Sequence, residues 1–178
     1  MAGEPVQFMS QMVSIEYPAP EPTLVSRHFG EQLAAGRIVG HQCPRCGKVY
    51  VPPRGYCPVC VVPTTDADEV EVADRGTVTT FSVITPIQYQ GQEETDDYVL
   101  ATILLDGADM TVGQQRLDGI PIDDVHSGMR VEAVWAPEAE RKGASGPGPA
   151  GGLGGAVTGW RPTGEPDAPL DQYDEHIL

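Results

Sequence analysis

The segment CPRCGKVYVPPRGYCPVC, residues 43–60, holds all four cysteines of the chain in two matched C-P-x-C pairs separated by ten residues. Thiols at this spacing have three chemistries open to them: a reactive or redox thiol, structural disulfides, or a metal clip. In a C-P-x-C knuckle the two sulfurs converge on one point, and two facing knuckles supply four thiolates at tetrahedral positions. Such a closed S4 set suits Zn²⁺, with iron the less favoured alternative. Gly47, after the first pair, is free to take φ > 0 and aim backbone N–H groups at sulfur. Val61 follows the second pair, so that knuckle has to turn without glycine. The spacer is shorter than the usual ribbon spacing of roughly 15–20 residues. Within it, Val49-Tyr50-Val51 followed by Pro52-Pro53 predicts one short strand and a stiff return.

The rival chemistries fit less well. A redox C-x-x-C normally occurs once, at the start of a helix in a βαβ setting, which Pro52 and Pro53 deny here. Disulfides match the spacing but not the expected compartment. Met1-Ala2-Gly3-Glu4-Pro5 lacks the basic start and apolar run of a signal peptide, so a cytoplasmic, reducing location is expected. A catalytic cysteine wants a histidine, and His41 lies close in sequence. A single histidine beside a knuckle is more often solvated, or engaged around the ligands, than a base. Cys43, Cys46, Cys57 and Cys60 are therefore expected to be ligands of a structural metal. A closed set activates no water. It folds the protein, with apparent binding energies of about 10–16 kcal/mol for structural zinc.

Charge adds a second candidate. Residues 27–54 carry Arg27, Arg37, Arg45, Lys48 and Arg54 against the single acid Glu31, in a chain with only 11 Lys and Arg in all. Four thiolates and one Zn²⁺ sum to about −2, so part of this cluster compensates the metal centre. The surplus suits a phosphate-bearing small molecule or an acidic patch on a partner. The chain as a whole has a net charge of −15, which opposes nucleic-acid binding, where affinity comes from Lys and Arg displacing counterions. No run of about 18 apolar residues occurs, so no membrane helix is expected.

Around the ribbon at 37–65, further elements are needed to hold it. Residues 1–22 form an extended N-terminal arm, with Met9, Met12, Ile15 and Tyr17 set between prolines. A helix is predicted over 23–36, with Ser26 as candidate N-cap and Leu24, Phe29 and Leu33 toward one side. Gly36 is its stop. Residues 66–163 read as short strands: Val70–Ala73, Gly76–Thr85, Tyr98–Asp106, Met110–Leu117, 127–135 and a last one near Trp160. YVLATILLD is expected to be central and buried on both faces. Such a set, with scarcely any helix, predicts a mainly β fold closed as an OB-type antiparallel barrel. A Gly/Pro-rich loop at 136–155, expected to be mobile, interrupts it. Its G-x-G-x-x-G match at 146–151 lacks the strand and helix of a dinucleotide site. The acidic tail 164–178 ends in Tyr173, His176, Ile177 and Leu178. Disorder is its default reading, and docking of Tyr173, Ile177 and Leu178 in a partner's groove is the functional one.

The order of a short helix, GRIVGHQCPRCGKVYVPPRGYCPVC, GTVTTFSVITP, YVLATILLDG and GMRVEAVW resembles the rubredoxin-like zinc-ribbon plus OB-fold proteins associated with acyl-CoA metabolism. The resemblance covers roughly residues 24–162. It implies an accessory subunit of a thiolase-superfamily enzyme, whose partner carries the catalytic Cys or His for acyl transfer, thiolysis or retro-aldol cleavage of a CoA thioester. Relatives act in steroid side-chain cleavage, aromatic degradation and isoprenoid synthesis. The family's metal ligands carry over to Cys43, Cys46, Cys57 and Cys60, and no catalytic residue carries over. With acyl-CoA as the shared ligand, Arg37, Lys48 and Arg54 become the candidate CoA or partner contacts. Departures are the missing glycine after Cys60, the Gly/Pro-rich insertion and the long tails.

The residues themselves also argue against an independent enzyme. The four histidines, His28, His41, His126 and His176, stand in no Ser-His-Asp order and in no H-E-x-x-H motif. A free-standing acyl-CoA carrier is the second hypothesis and a nucleic-acid-binding ribbon and barrel the third. Measurable thioester affinity of the isolated chain, or oligonucleotide binding at low salt, distinguishes them.

Overall fold

The computed structural model describes residues 11, 13–16, 23–86, 96–141, 153 and 155–177. The expected arm at 1–22 and the glycine-rich match at 146–151 therefore lie largely or wholly outside the described residues. A single helix, α1 (Leu24–Ala34), is followed by β1 (Ile38–Gln42), β2 (Val49–Tyr50), β3 (Glu69–Val72), β4 (Arg75–Ile84), β5 (Tyr98–Leu105), β6 (Thr111–Leu117), β7 (Arg130–Trp135) and β8 (Val157–Pro162).

Helix α1 is capped by Thr23, whose side chain accepts from the Ser26 amide, so Ser26 is a receiver of the cap and not the cap itself. Gly36 takes φ +80 just beyond the last turn, as a helix stop requires. Phe29 and Leu33 are buried, whereas Leu24 is 81% exposed and leaves the expected stripe.

The ribbon sheet has the order β2-β1-β3, all antiparallel. β3 thus hydrogen-bonds to the ribbon's central strand and forms the link to the barrel. The barrel closes in the order β4-β5-β6-β8-β7, with one parallel pair where Leu117 of β6 meets Trp160 of β8. This is a mainly β molecule with a five-stranded OB-type barrel. On β5, Val99, Ala101, Ile103 and Leu105 are buried while Tyr98, Leu100, Thr102 and Leu104 are half-buried. The strand expected to be buried on both faces therefore alternates, because the barrel's outer side is only partly covered. Trp160 is wholly buried in the core. Its indole N–H donates to Gln115 Oε1 at 3.1 Å, which satisfies the one polar atom it brings inside.

The loop expected to be mobile is ordered at its described ends. Residues Glu138–Glu140 form a 3-10 turn, and Leu153 and Ala156 are fully buried. Arg141 in this loop lies over the Trp135 ring at 5.2 Å and donates to the Ala136 carbonyl at 2.9 Å. A Cβ on Gly36 would collide with its guanidinium, so Arg141 ties the barrel to the carbonyl end of α1. The acidic tail is also structured. Two 3-10 turns, Leu170–Gln172 and Asp174–His176, follow a segment in which the Ala168 amide donates to the Gly128 carbonyl at 2.8 Å.

Candidate metal centre

The two knuckles are built alike. Cys43 N donates to Lys48 O at 2.8 Å and Gly47 N to Cys43 O at 2.9 Å. Cys57 N donates to Val62 O at 2.8 Å and Val61 N to Cys57 O at 2.9 Å. Each turn closes on a left-handed residue, Gly47 at φ +75 and Val61 at φ +54. The geometry aims amides at sulfur: Arg45 N and Cys46 N each stand 3.4 Å from Cys43 Sγ, and Cys60 N stands 3.3 Å from Cys57 Sγ.

These turns bring Cys43, Cys46, Cys57 and Cys60 together, with all four sulfurs within 4.8 Å of one another. Cys46 and Cys57 Sγ are 3.8 Å apart, too far for a disulfide and close to the S···S edge of about 3.8 Å that a tetrahedron with 2.3 Å metal–sulfur bonds requires. The donor set therefore fits a tetrahedral thiophilic ion. Cys43 and Cys57 are buried, Cys60 is half-buried and Cys46 is exposed.

Electrostatics favour a cation. Burial pushes the Cys57 thiol up, but the Cys60 and Val59 amides, Tyr50 and Cys43 outweigh it and bring it down to about 6. Burial and the neighbouring sulfurs push Cys60 up to about 12. A cation among the sulfurs would favour the thiolate form of both. Tyr50, whose Oη stands 3.6 Å from Cys57 Sγ, is held above the usual phenol range by burial and by these sulfurs. Sequence reasoning treated Tyr50 only as a strand residue. Asp109 was missed too. Its carboxylate accepts from Val49 N and its amide donates to Val49 O, each at 2.8 Å, which fastens the β5–β6 turn to the ribbon. Asp109 has no sequence signal, since its pairing with Val49 spans 60 residues, whereas Tyr50 lies only seven residues before Cys57.

His41 is neither solvated nor beside a sulfur as a base. It is buried, its Nδ1 lies 2.9 Å from Thr64 Oγ1, and burial lowers its pKa. Of the basic candidates, Arg37, Lys48 and Arg54 are all exposed. Arg37 donates to Gln32 Oε1, and Arg54 Nη2 lies 3.9 Å from Met110 Sδ. Among the described residues none of the three has a carboxylate partner. In the tail, Tyr173 is only 7% exposed and packs against this chain's own Gly128, where a Cβ would come within 2.9 Å of its hydroxyl. That burial corrects the expectation that Tyr173 faces a partner. Ile177 is 44% exposed, and Leu178 lies outside the described residues.

Residues 31–64 match a family described as ChsH2, rubredoxin-like zinc ribbon domain, and residues 69–136 match ChsH2, C-terminal OB-fold domain. A DUF35 domain-containing scaffold protein of Methanocaldococcus jannaschii is 36% identical over 109 residues, which are 61% of this chain and 72% of that protein. A DUF35-family protein of unknown function from Sulfolobus solfataricus has a similar structure, with TM-score 0.50 and 21% identity over 62% of this chain and 78% of that one. An Ltp2-ChsH2(DUF35) aldolase has TM-score 0.53 and 23% identity over 80% of this chain and 98% of that one. At these identities the two structures speak to the fold.

Proposed function

Because this chain belongs to the DUF35 family, joining a rubredoxin-like zinc ribbon to an OB-fold barrel, we propose that it is the accessory subunit of a thiolase-superfamily enzyme acting on acyl-CoA thioesters. The partner supplies the catalytic Cys or His for carbon–carbon bond cleavage or formation, by retro-aldol chemistry of the steroid side-chain type or by thiolysis and acyl transfer. The observation that carries this reading is the closed S4 cluster in a chain 36% identical to a protein described as a scaffold. A full set of four thiolates leaves no open coordination position, so the metal centre shapes a surface and does no chemistry. Zinc is the ion this set favours, and Cys43, Cys46, Cys57 and Cys60 hold it.

The exposed cations Arg37, Lys48 and Arg54 are the groups we assign to the CoA phosphates or to an acidic patch of the enzyme. Ile177 and Leu178 remain the docking part of the tail, without Tyr173. We place the complex in the cytoplasm, where the thiols stay reduced. Units 23–36, 37–65 and 66–163 act as helix, ribbon and barrel of one support.

Co-expression with a candidate thiolase-superfamily enzyme from the same organism tests the proposal. A stoichiometric complex carrying one zinc per accessory chain is expected. Failure of the two proteins to associate would refute it, and acyl-CoA affinity of the isolated chain would favour a carrier instead.

A further inference from the structure

Strand β4 outruns the barrel. It pairs with β7 only at Arg75, Gly76 and Thr77, and the backbone bonding on that side ends with Val78 against Met129 and Gly128. From Thr79 to Ile84, no described residue hydrogen-bonds to that edge, and a register shift between Val78 and Thr80 marks where β4 leaves the closed part. Phe81 and Val83 stand opposite Ala101 and Val99, so they point to the same side as those core residues, yet they are 37% and 43% exposed. Among the described residues no strand covers these side chains, which would be core in a fully paired barrel.

Apart from that bulge, the edge carries none of the residues that usually protect one. Thr79-Thr80-Phe81-Ser82-Val83-Ile84 is uncharged, contains no proline and favours strand throughout. We infer that this edge is where the enzyme subunit docks, by adding an extended apolar strand alongside residues 79–84 of β4. The inference rests on the accessory-subunit reading above. Charge selects the occupant: exposed Asp96 and Asp97 lie just before Tyr98, the partner of Ile84, so the incoming strand is uncharged with a basic residue at that end. A second copy is disfavoured, since each carries a net charge of −15.

Backbone amide exchange at residues 79–84, read by mass spectrometry in the free chain and in its complex with the co-expressed thiolase-like enzyme, tests this. Fast exchange of the open-edge amides is expected in the free chain and strong protection in the complex. The double variant Phe81→Lys with Val83→Lys should keep the metal content and weaken the complex about 30-fold, well beyond what any change in the free chain's melting temperature accounts for. Undiminished affinity of that variant, or a complex without new protection at 79–84, overturns the docking edge and leaves the accessory role intact. Protection already present in the free chain, through a second copy or through this chain's own residues, also overturns it. If the wild-type proteins do not associate at all, the accessory reading falls and the docking edge with it.

Discussion

Val61 holds the position after Cys60 that Gly47 holds after Cys46, and both backbones are left-handed there. For a β-branched residue that conformation costs about 1–2 kcal/mol. Val61 is 79% exposed, so its side chain returns little through burial. Val61→Gly should stabilise the protein by about 0.5–1 kcal/mol, after subtracting glycine's larger chain entropy. A denaturant midpoint measured at equal metal content checks this, and a drop in the midpoint would contradict it. His126 gives a prediction in pH. Its Nδ1 meets the Asp124 carbonyl at 2.8 Å and its Nε2 meets Asp167 at 2.9 Å, and in that order these raise its pKa above the ordinary 6.5. The folded state therefore holds the proton more tightly than the unfolded chain. The stabilisation is complete below the ordinary value and disappears as pH rises through the raised one. Both groups are over half exposed, which limits it to a few tenths of a kcal/mol. Comparing the wild type with His126→Gln should show a stability difference at pH 6 that vanishes above pH 8. The convergence of the four cysteines was legible from spacing alone. The helix cap was not, because Thr23 and Ser26 are both good capping residues and the choice depends on where the helix docks.

Among the elements, the C-terminal tail changes most between sequence and structure. Its composition reads as disordered, yet Ala168 and Tyr173 are buried, and Arg75 and Arg130 hold Glu165. A charged segment with one well-placed aromatic needs only a matching hollow, and Gly128 at φ +93 provides it. Truncation before residue 166 should therefore lower stability by about 2–4 kcal/mol, as expected for losing a buried aromatic. Thermal unfolding of truncated and full-length protein measures this, and an unchanged melting temperature would restore the tail to a purely docking role. The strands were legible from their β-branched runs and turn residues. The pairing of β3 with β1, Ile38 opposite Val72, was not, since alternation in Val70-Glu71-Val72 says nothing of which sheet receives it.

At the scale of the molecule, ribbon and barrel meet through Asp109 on Val49 and through Arg141 against Gly36 and Trp135. What emerges is a ribbon with four converging cysteines joined to a barrel whose β4 has an unpaired edge among the described residues. The barrel order was foreshadowed by strand count and punctuation. The stretch of β4 beyond its pairing with β7 was not, because an edge strand and a central strand of the same residues look alike in sequence. The proposed accessory role is tested in turnover. The most direct measurement is cleavage or condensation of an acyl-CoA thioester by this chain alone, by the thiolase-like enzyme alone, and by the two together. Full activity only in the mixture is the predicted result. Turnover by this chain on its own, or enzyme activity indifferent to its presence, would contradict the account.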